Sequence, residues 1–264
     1  MGFASLYPSY ILPVYSDPRP SHNQRMDSRQ HAPLPSNPVG DLLRGWRNRR
    51  AMSQADLAFE AGISIKHLSY VETGKAAGSR DILLQLASAL GLSLRDRNAL
   101  LEAGGFARQY GERDLSAPEV ADAKRAIDLL LRRHEPFPAI VTDRRWNVMQ
   151  ANRAASRLMT MLLGEARMTR PLNHMRMFLA PDELRPFVVD WPDVAAPQLN
   201  ETDAPGSLCE VRLKKGDISI GLIGAVLTLG TPQDVTLQEL RVEMFMPADA
   251  ASEAVLIALA AQDA

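Results

Sequence analysis

Between Gln54 and Arg80 the chain sets out side chains suited to gripping a polyanion and reading what it carries. Gln54 stands in what reads as the first turn of a helix. There the backbone N–H groups favour phosphate, and a carboxamide bridges backbone and phosphate. Ile65, Lys66 and Tyr70 share one face of the next helix, with Ser64 at its start and His67 alongside. An ammonium such as Lys66 donates to guanine O6 and N7, and an aliphatic chain such as Ile65 packs on a thymine methyl. Lys75 and Arg80 follow as cations placed for backbone phosphates. For each of these residues the competing reading is a solvated surface side chain.

The elements that must position them are legible in MSQADLAFEAGISIKHLSYVETG, Met52 to Gly74. Ser53 is an N-cap, its hydroxyl accepting from an otherwise orphaned N–H. Ala55, Leu57, Ala58 and Ala61 recur at helical spacing, and Gly62 supplies the left-handed residue that ends the helix. Ser64 caps the second helix, which turns Leu68 and Val71 inward. Two helices joined so tightly cross steeply, and the second projects its outer face away from the body, the geometry of a helix-turn-helix. Val39–Ala51, Arg80–Leu90 (ended by Gly91) and Leu94–Ala103 (ended by Gly104–Gly105) read as flanking helices, making a five-helix all-α bundle.

This stretch resembles the phage-repressor-like (Xre/Cro) helix-turn-helix family. The resemblance rests on Arg47, Ser53-Gln54, Leu57-Ala58, Gly62-Ile63-Ser64, Leu68, Glu72-Thr73-Gly74-Lys75, and Leu86-Ala87 through Leu90-Gly91-Leu92. It implies that Ile65, Lys66 and Tyr70 face base edges of an operator duplex. It also implies that Arg47 and Glu72 form an internal ion pair fixing the angle at which the second helix is presented. A module this small reads one short half-site, so a homodimer on a two-fold related operator is expected.

Composition narrows the remaining classes. The net charge is -1, so nothing global announces nucleic acid, but Val39–Tyr110 holds ten basic residues against seven acidic ones. That modest excess suits a site-specific reader better than a condensing protein. Cys209 is the lone cysteine, so no internal disulfide exists, in keeping with a reducing cytoplasm. No apolar run reaches the roughly 18 residues of a membrane span. The five histidines (22, 31, 67, 134 and 174) show no ligand spacing, and Gly221-x-x-Gly224 lacks the lysine and helix of a phosphate loop. No nucleophile stands beside a base. Neither an enzyme nor a metal nor a cofactor is expected.

Residues 1–37, rich in Pro, Ser and Tyr, read as a disordered leader, with Met26 an alternative start. The helix-turn-helix domain is placed at 38–106 and a linker at 107–118. From 119 to 264 the pattern is α+β with an antiparallel sheet. A helix over Glu119–His134 precedes a hairpin, Ala139–Thr142 and Trp146–Gln150, and a helix over Ala154–Leu163. Helices at 172–179 and 250–260 and strands at Ser207–Leu213, Ile218–Leu229 and Leu237–Met246 follow.

The segment PAIVTDRRWNVMQANRAASRLM resembles the opening of a PAS-like sensor, and its order after a helix-turn-helix resembles MmyB-like transcription regulators. That resemblance implies a ligand-binding module with an apolar pocket for a fatty-acid-like molecule. Trp146, Met149 and Phe178 are the candidate lining, and Arg176 the candidate carboxylate contact. The eleven methionines suit an adaptable pocket as well as an irregular core. Pro192–Val211 is shorter than the family's stretch there, which bears on the pocket's roof. The reading is therefore a cytoplasmic, DNA-binding transcription regulator that senses a small apolar ligand. The alternative is a second domain that binds no ligand and serves dimerisation or protein interaction.

Overall fold

A computed structural model describes residues 37–168, 171–194, 210–230 and 232–261. The leader through residue 36, Cys209 and the greater part of the short 192–211 segment lie outside the described residues. The chain divides into two compact units between Gln109 and Tyr110.

The first unit is five helices: α1 (Pro38–Arg49), α2 (Gln54–Glu60), α3 (Ile65–Thr73), α4 (Arg80–Ala89) and α5 (Leu94–Ala103). One local device starts all five. Asn37, Ser53, Ser64, Ser79 and Ser93 each accept from the backbone N–H three residues on. Each such cap is worth about 1 kcal/mol and sets where a helix begins. Ser53 adds a reciprocal bond, its own N–H donating to the Asp56 carboxylate. Leu43, Trp46, Leu57, Leu68, Leu83, Leu86, Leu90, Leu100 and Leu101 come together in a single buried cluster. It is this cluster that orients α2 and α3 relative to the rest.

In the second unit a 3-10 turn at Pro118–Val120 leads into α6 (Ala121–Arg133). Then follow β1 (Ala139–Thr142), β2 (Val148–Ala151), α7 (Arg153–Leu163), α8 (Glu165–Met168) and α9 (His174–Leu179). The chain closes with β3 (Glu210–Lys215), β4 (Ile218–Thr228), α10 (Val235–Glu239), β5 (Arg241–Pro247) and α11 (Ala250–Ala261). The strands form one antiparallel sheet in the order β2-β1-β5-β4-β3, with Val141 opposite Val242 at the β1–β5 seam. One apolar cluster gathers Leu158, Leu162, Met177, Leu213, Ile220, Leu222 and Leu256. A second packs Ile127 and Leu131 of α6 on Ala139, Val141, Leu240 and Val242. The all-α unit followed by an α+β unit with an antiparallel sheet is the class the sequence implies.

Three departures from the sequence outlines have a clear local cause. The return strand begins at Val148 rather than Trp146, because Trp146 sits at φ +64° in a turn whose Asp143 carboxylate collects the Arg145 and Asn147 N–H groups. The run from Leu237 to Met246 is not one strand. Asp234 caps α10 through the Thr236 N–H, so Leu237 is helical and β5 starts at Arg241. The long helix opens with a 3-10 turn, since Pro118 and Ala117 provide no side-chain cap.

Gln109 belongs by its bonds to the first unit, its N–H donating to Asn98 Oδ1 at 3.0 Å. Gly111 belongs to the second, its carbonyl accepting from Val235 N–H at 2.8 Å, and Arg113 bridges to Asp234 at 3.1 Å. The stretch 107–118 is thus held at residues on both sides of Tyr110. Among the described residues no helix is long and apolar enough to cross a membrane.

At the start of α11 the Ser252 hydroxyl and N–H, with Arg212, hold the Asp249 carboxyl down to about 2. Its folded value lies below the ordinary one, so the stability it contributes is fully present above pH about 4. It is lost as pH falls through about 2. A carbon-detected titration of Asp249 should show that midpoint, and Ser252→Ala should return it toward about 4. A wild-type midpoint near 4 would refute the assignment.

Candidate nucleic-acid interface

The outer face of α3 carries the residues singled out for base contact. Ile65 is 53% exposed and Tyr70 39%, Lys66 and Ser64 are exposed, and His67 is half-buried. Ser64 spends its hydroxyl on the His67 N–H. Lys75 and Arg80 are also exposed, and Arg80 Nη2 donates to Gln109 Oε1 at 2.7 Å. Phe59 on α2 is 87% exposed.

The inner end of α3 is held in a different way. Glu72 is completely buried and accepts from Arg47 Nε at 2.9 Å and Nη2 at 3.3 Å. Gln54 Nε2 donates to the same carboxylate at 2.7 Å, so this amide is engaged inside the protein as well as standing at the α2 N-terminus. The Glu72 carbonyl accepts from Arg44 Nη1 at 2.6 Å. Asn37 Nδ2 donates to the Val71 and Glu72 carbonyls while its Oδ1 caps α1. The last turn of a helix leaves carbonyls without intrahelical partners; here α1 supplies the donors. Gly40 makes the approach possible, for a Cβ there would fall 2.1 Å from the Glu72 carbonyl oxygen. Gly74, at φ +75°, ends α3 in the left-handed region that favours glycine.

Asn37, Gly40 and Arg44 were not among the sequence candidates. Asn37 followed by Pro38 is the signal that identifies the first of them, since an Asn cap before Pro at the first helical position is a helix start. The long-range bonds of Asn37 leave no such mark. Nearby, the Ser53 hydroxyl and N–H hold the Asp56 carboxyl below its ordinary range and keep it charged at the α2 N-terminus.

The candidate ligand residues of the second unit each have their own neighbours. Trp146 has the Arg241 guanidinium 4.5 Å over its ring and lies edge-on to His174. Phe178 packs against Trp191 with centroids 4.8 Å apart. Met149 is 49% exposed on β2. Arg176 pairs with the buried Glu183 at 3.4 Å and lines a cleft with Pro171, Leu172, Asn173, Met177 and Glu183. That cleft has room for about 10 Å³, one water's worth. Sequence reasoning also passed over a polar group at the sheet. Buried Thr142 donates to Glu243 Oε1 at 3.1 Å, and His174 Nδ1 lies 2.8 Å from Glu243 Oε2. Among the described residues no three His, Cys, Asp or Glu side chains are placed to hold a metal ion.

Comparison with known proteins divides the chain in the same sense. Residues 38–100 match a helix-turn-helix domain family, and residues 123–202 match the MmyB-like transcription regulator ligand binding domain. Among solved structures, the restriction-modification controller protein C.AhdI from Aeromonas hydrophila is 33% identical. The match covers 23% of this chain and 92% of that one, with a TM-score of 0.22. An RNA-binding light-oxygen-voltage receptor is 11% identical over 86% of this chain and 62% of its own length, with a TM-score of 0.30. No curated protein matches. The first unit is a helix-turn-helix domain of the transcription-regulator type, and the second carries an MmyB-like ligand-binding domain.

Proposed function

We propose that this DNA-binding regulator acts in the cytoplasm as a homodimer that lays α3 of each copy in the major groove of a two-fold operator. The observation that carries this reading is the division of labour on α3. Its inner end is tied by Arg47, Gln54 and Asn37, while Ile65, Lys66 and Tyr70 stand outward. Gln54, Ser64, His67, Lys75 and Arg80 ring that face as phosphate or base contacts, and the half-sites lie about one helical turn apart. The test is selection of duplexes from a random-sequence pool by the full chain. Lys66→Ala should relax preference at one base pair per half-site by about 1–3 kcal/mol, and Gln54→Ala should weaken all sequences. Unchanged preference in Lys66→Ala would remove α3 from the groove, and a monomer on the operator by light scattering would remove the dimer.

The MmyB-like domain binds a small apolar, fatty-acid-like ligand in this proposal, with Trp146, Met149, Arg176 and Phe178 as contacts. A ligand alters operator affinity only by binding the two arrangements unequally, and couplings of about 1–3 kcal/mol give 5- to 150-fold effects. The second reading, a domain for dimerisation or protein interaction, is favoured by the water-sized cleft at Arg176 and by exposed Leu129, Val226, Leu227 and Ile257. Titrating fatty acids against tryptophan fluorescence and operator binding together decides between them. Saturable binding with a shifted operator affinity supports the sensor, and no binding supports the interaction domain.

A further inference from the structure

Two cations flank one aromatic ring on the candidate interface. Lys66 Nζ lies 5.7 Å and Lys75 Nζ 5.9 Å from the centroid of Tyr70. Both distances fall within the range of about 6 Å over which an ammonium is attracted by a ring face. The backbone explains how residues on either side of a helix end reach the same ring. Lys66 and Tyr70 are four apart on α3 and so share a face. Lys75 lies beyond the helix, but Gly74 at φ +75° turns the chain back, and the Ala76 N–H donates to the Tyr70 carbonyl at 3.1 Å. That bond folds the outgoing chain back against the last turns of α3, where Tyr70 stands.

Resting on the reading that α3 faces DNA, we infer that Tyr70 is a positioning residue: its ring holds the Lys66 and Lys75 ammonium groups in place before DNA arrives. A free lysine side chain surrenders much rotamer freedom when it is fixed against a phosphate or a base edge. A lysine already resting on a ring surrenders less, so the ring strengthens binding without touching the nucleic acid. The attraction requires only the ring face, so the phenol hydroxyl is dispensable. The same ring fixes the separation of the two charges, since each is tethered to it and not to the other.

The experiment follows the free full chain by NMR and its affinity for the duplex it enriches from a random pool. In wild type and Tyr70→Phe the ε-methylene resonances of Lys66 and Lys75 should be shifted upfield by the ring. In Tyr70→Leu they should return to ordinary lysine positions. Tyr70→Phe should bind within about 2-fold of wild type and Tyr70→Leu about 3- to 10-fold more weakly, the scale of one or two exposed cation–ring contacts. In a Lys66→Ala, Lys75→Ala background, Tyr70→Leu should cost nothing more, the non-additivity expected of residues acting as a unit.

Ordinary lysine resonances in wild type would overturn the inference. So would a Tyr70→Phe loss equal to that of Tyr70→Leu, or an undiminished Tyr70→Leu loss without the lysines, for then the tyrosine meets DNA itself. Upfield lysine resonances with no lysine or tyrosine variant changing DNA affinity would instead sink the placement of α3 on DNA, and the positioning role with it.

Discussion

Gly40→Ala is expected to destabilise the amino-terminal unit by about 3 kcal/mol, the upper end of what forcing extra volume into a filled site costs. A Cβ at this position would meet the Glu72 carbonyl oxygen at 2.1 Å and Asn37 Nδ2 at 2.3 Å. The nearest obstacle is backbone, so no side-chain rotation relieves it, and α1 must separate from the end of α3. For a domain of this size the loss corresponds to a melting temperature lower by roughly 10–20 °C. The same helix supplies the control. A Cβ at Gly45 meets nothing within 4 Å, so Gly45→Ala should stabilise by about 0.5–1 kcal/mol through helix propensity alone. Calorimetry on the two variants decides the matter. Equal effects would mean that Gly40 is not a contact point.

Glu72→Ala should cost about 3–5 kcal/mol, since it strands the Arg47 guanidinium, whose side chain is 13% exposed, beside the empty space and releases Gln54. Buried ion pairs replaced whole by apolar groups of similar volume are often neutral in stability. Arg47→Met, Glu72→Leu should therefore regain much of the lost stability. It should not regain DNA affinity to the same degree, because the carboxylate also fixes Gln54 and the last turn of α3. Chemical denaturation and duplex binding, measured on the single and double variants, separate the two quantities. Stability and affinity recovering in parallel would show that the pair serves folding alone.

The first unit was readable because its instructions are local. A serine cap sits within three residues of the N–H it satisfies, and Gly62, Gly74 and Gly91 stand where the backbone turns left-handed. The bonds that anchor α3 were less readable. The Arg47–Glu72 pair was drawn from family resemblance, and Asn37 reaches Val71 and Glu72 across more than thirty residues with nothing in local spacing to announce it. In the second unit, the short β-branched run bounded by Pro138 and Asp143 locates Ala139–Thr142 but cannot foresee that Trp146 takes a positive φ. That torsion carries the indole to Arg241 and His174. Helical periodicity likewise puts Phe178 on an inward face without saying that Trp191 waits there. Neighbours from distant segments decide where a ring points, and a single sequence does not display them.

The anchoring of α3 at Val71 and Glu72 also bears on how such a protein changes over generations. The bonds that seat the helix use a buried carboxylate and two backbone carbonyls, and the apolar seat uses Leu68 and Val71. Ile65 and Lys66 contribute to neither. Substitutions there are spared the folding penalty that ordinarily purges mutations, because exposed positions away from such features usually shift stability by under about 0.5 kcal/mol. If Ile65 and Lys66 read the operator as proposed, a duplicated copy of this gene would be free to drift at those positions toward a new one while keeping its scaffold. Its inheritance would then show two tempos: slow at Asn37, Gly40, Arg47 and Glu72, and fast on the outward face of α3.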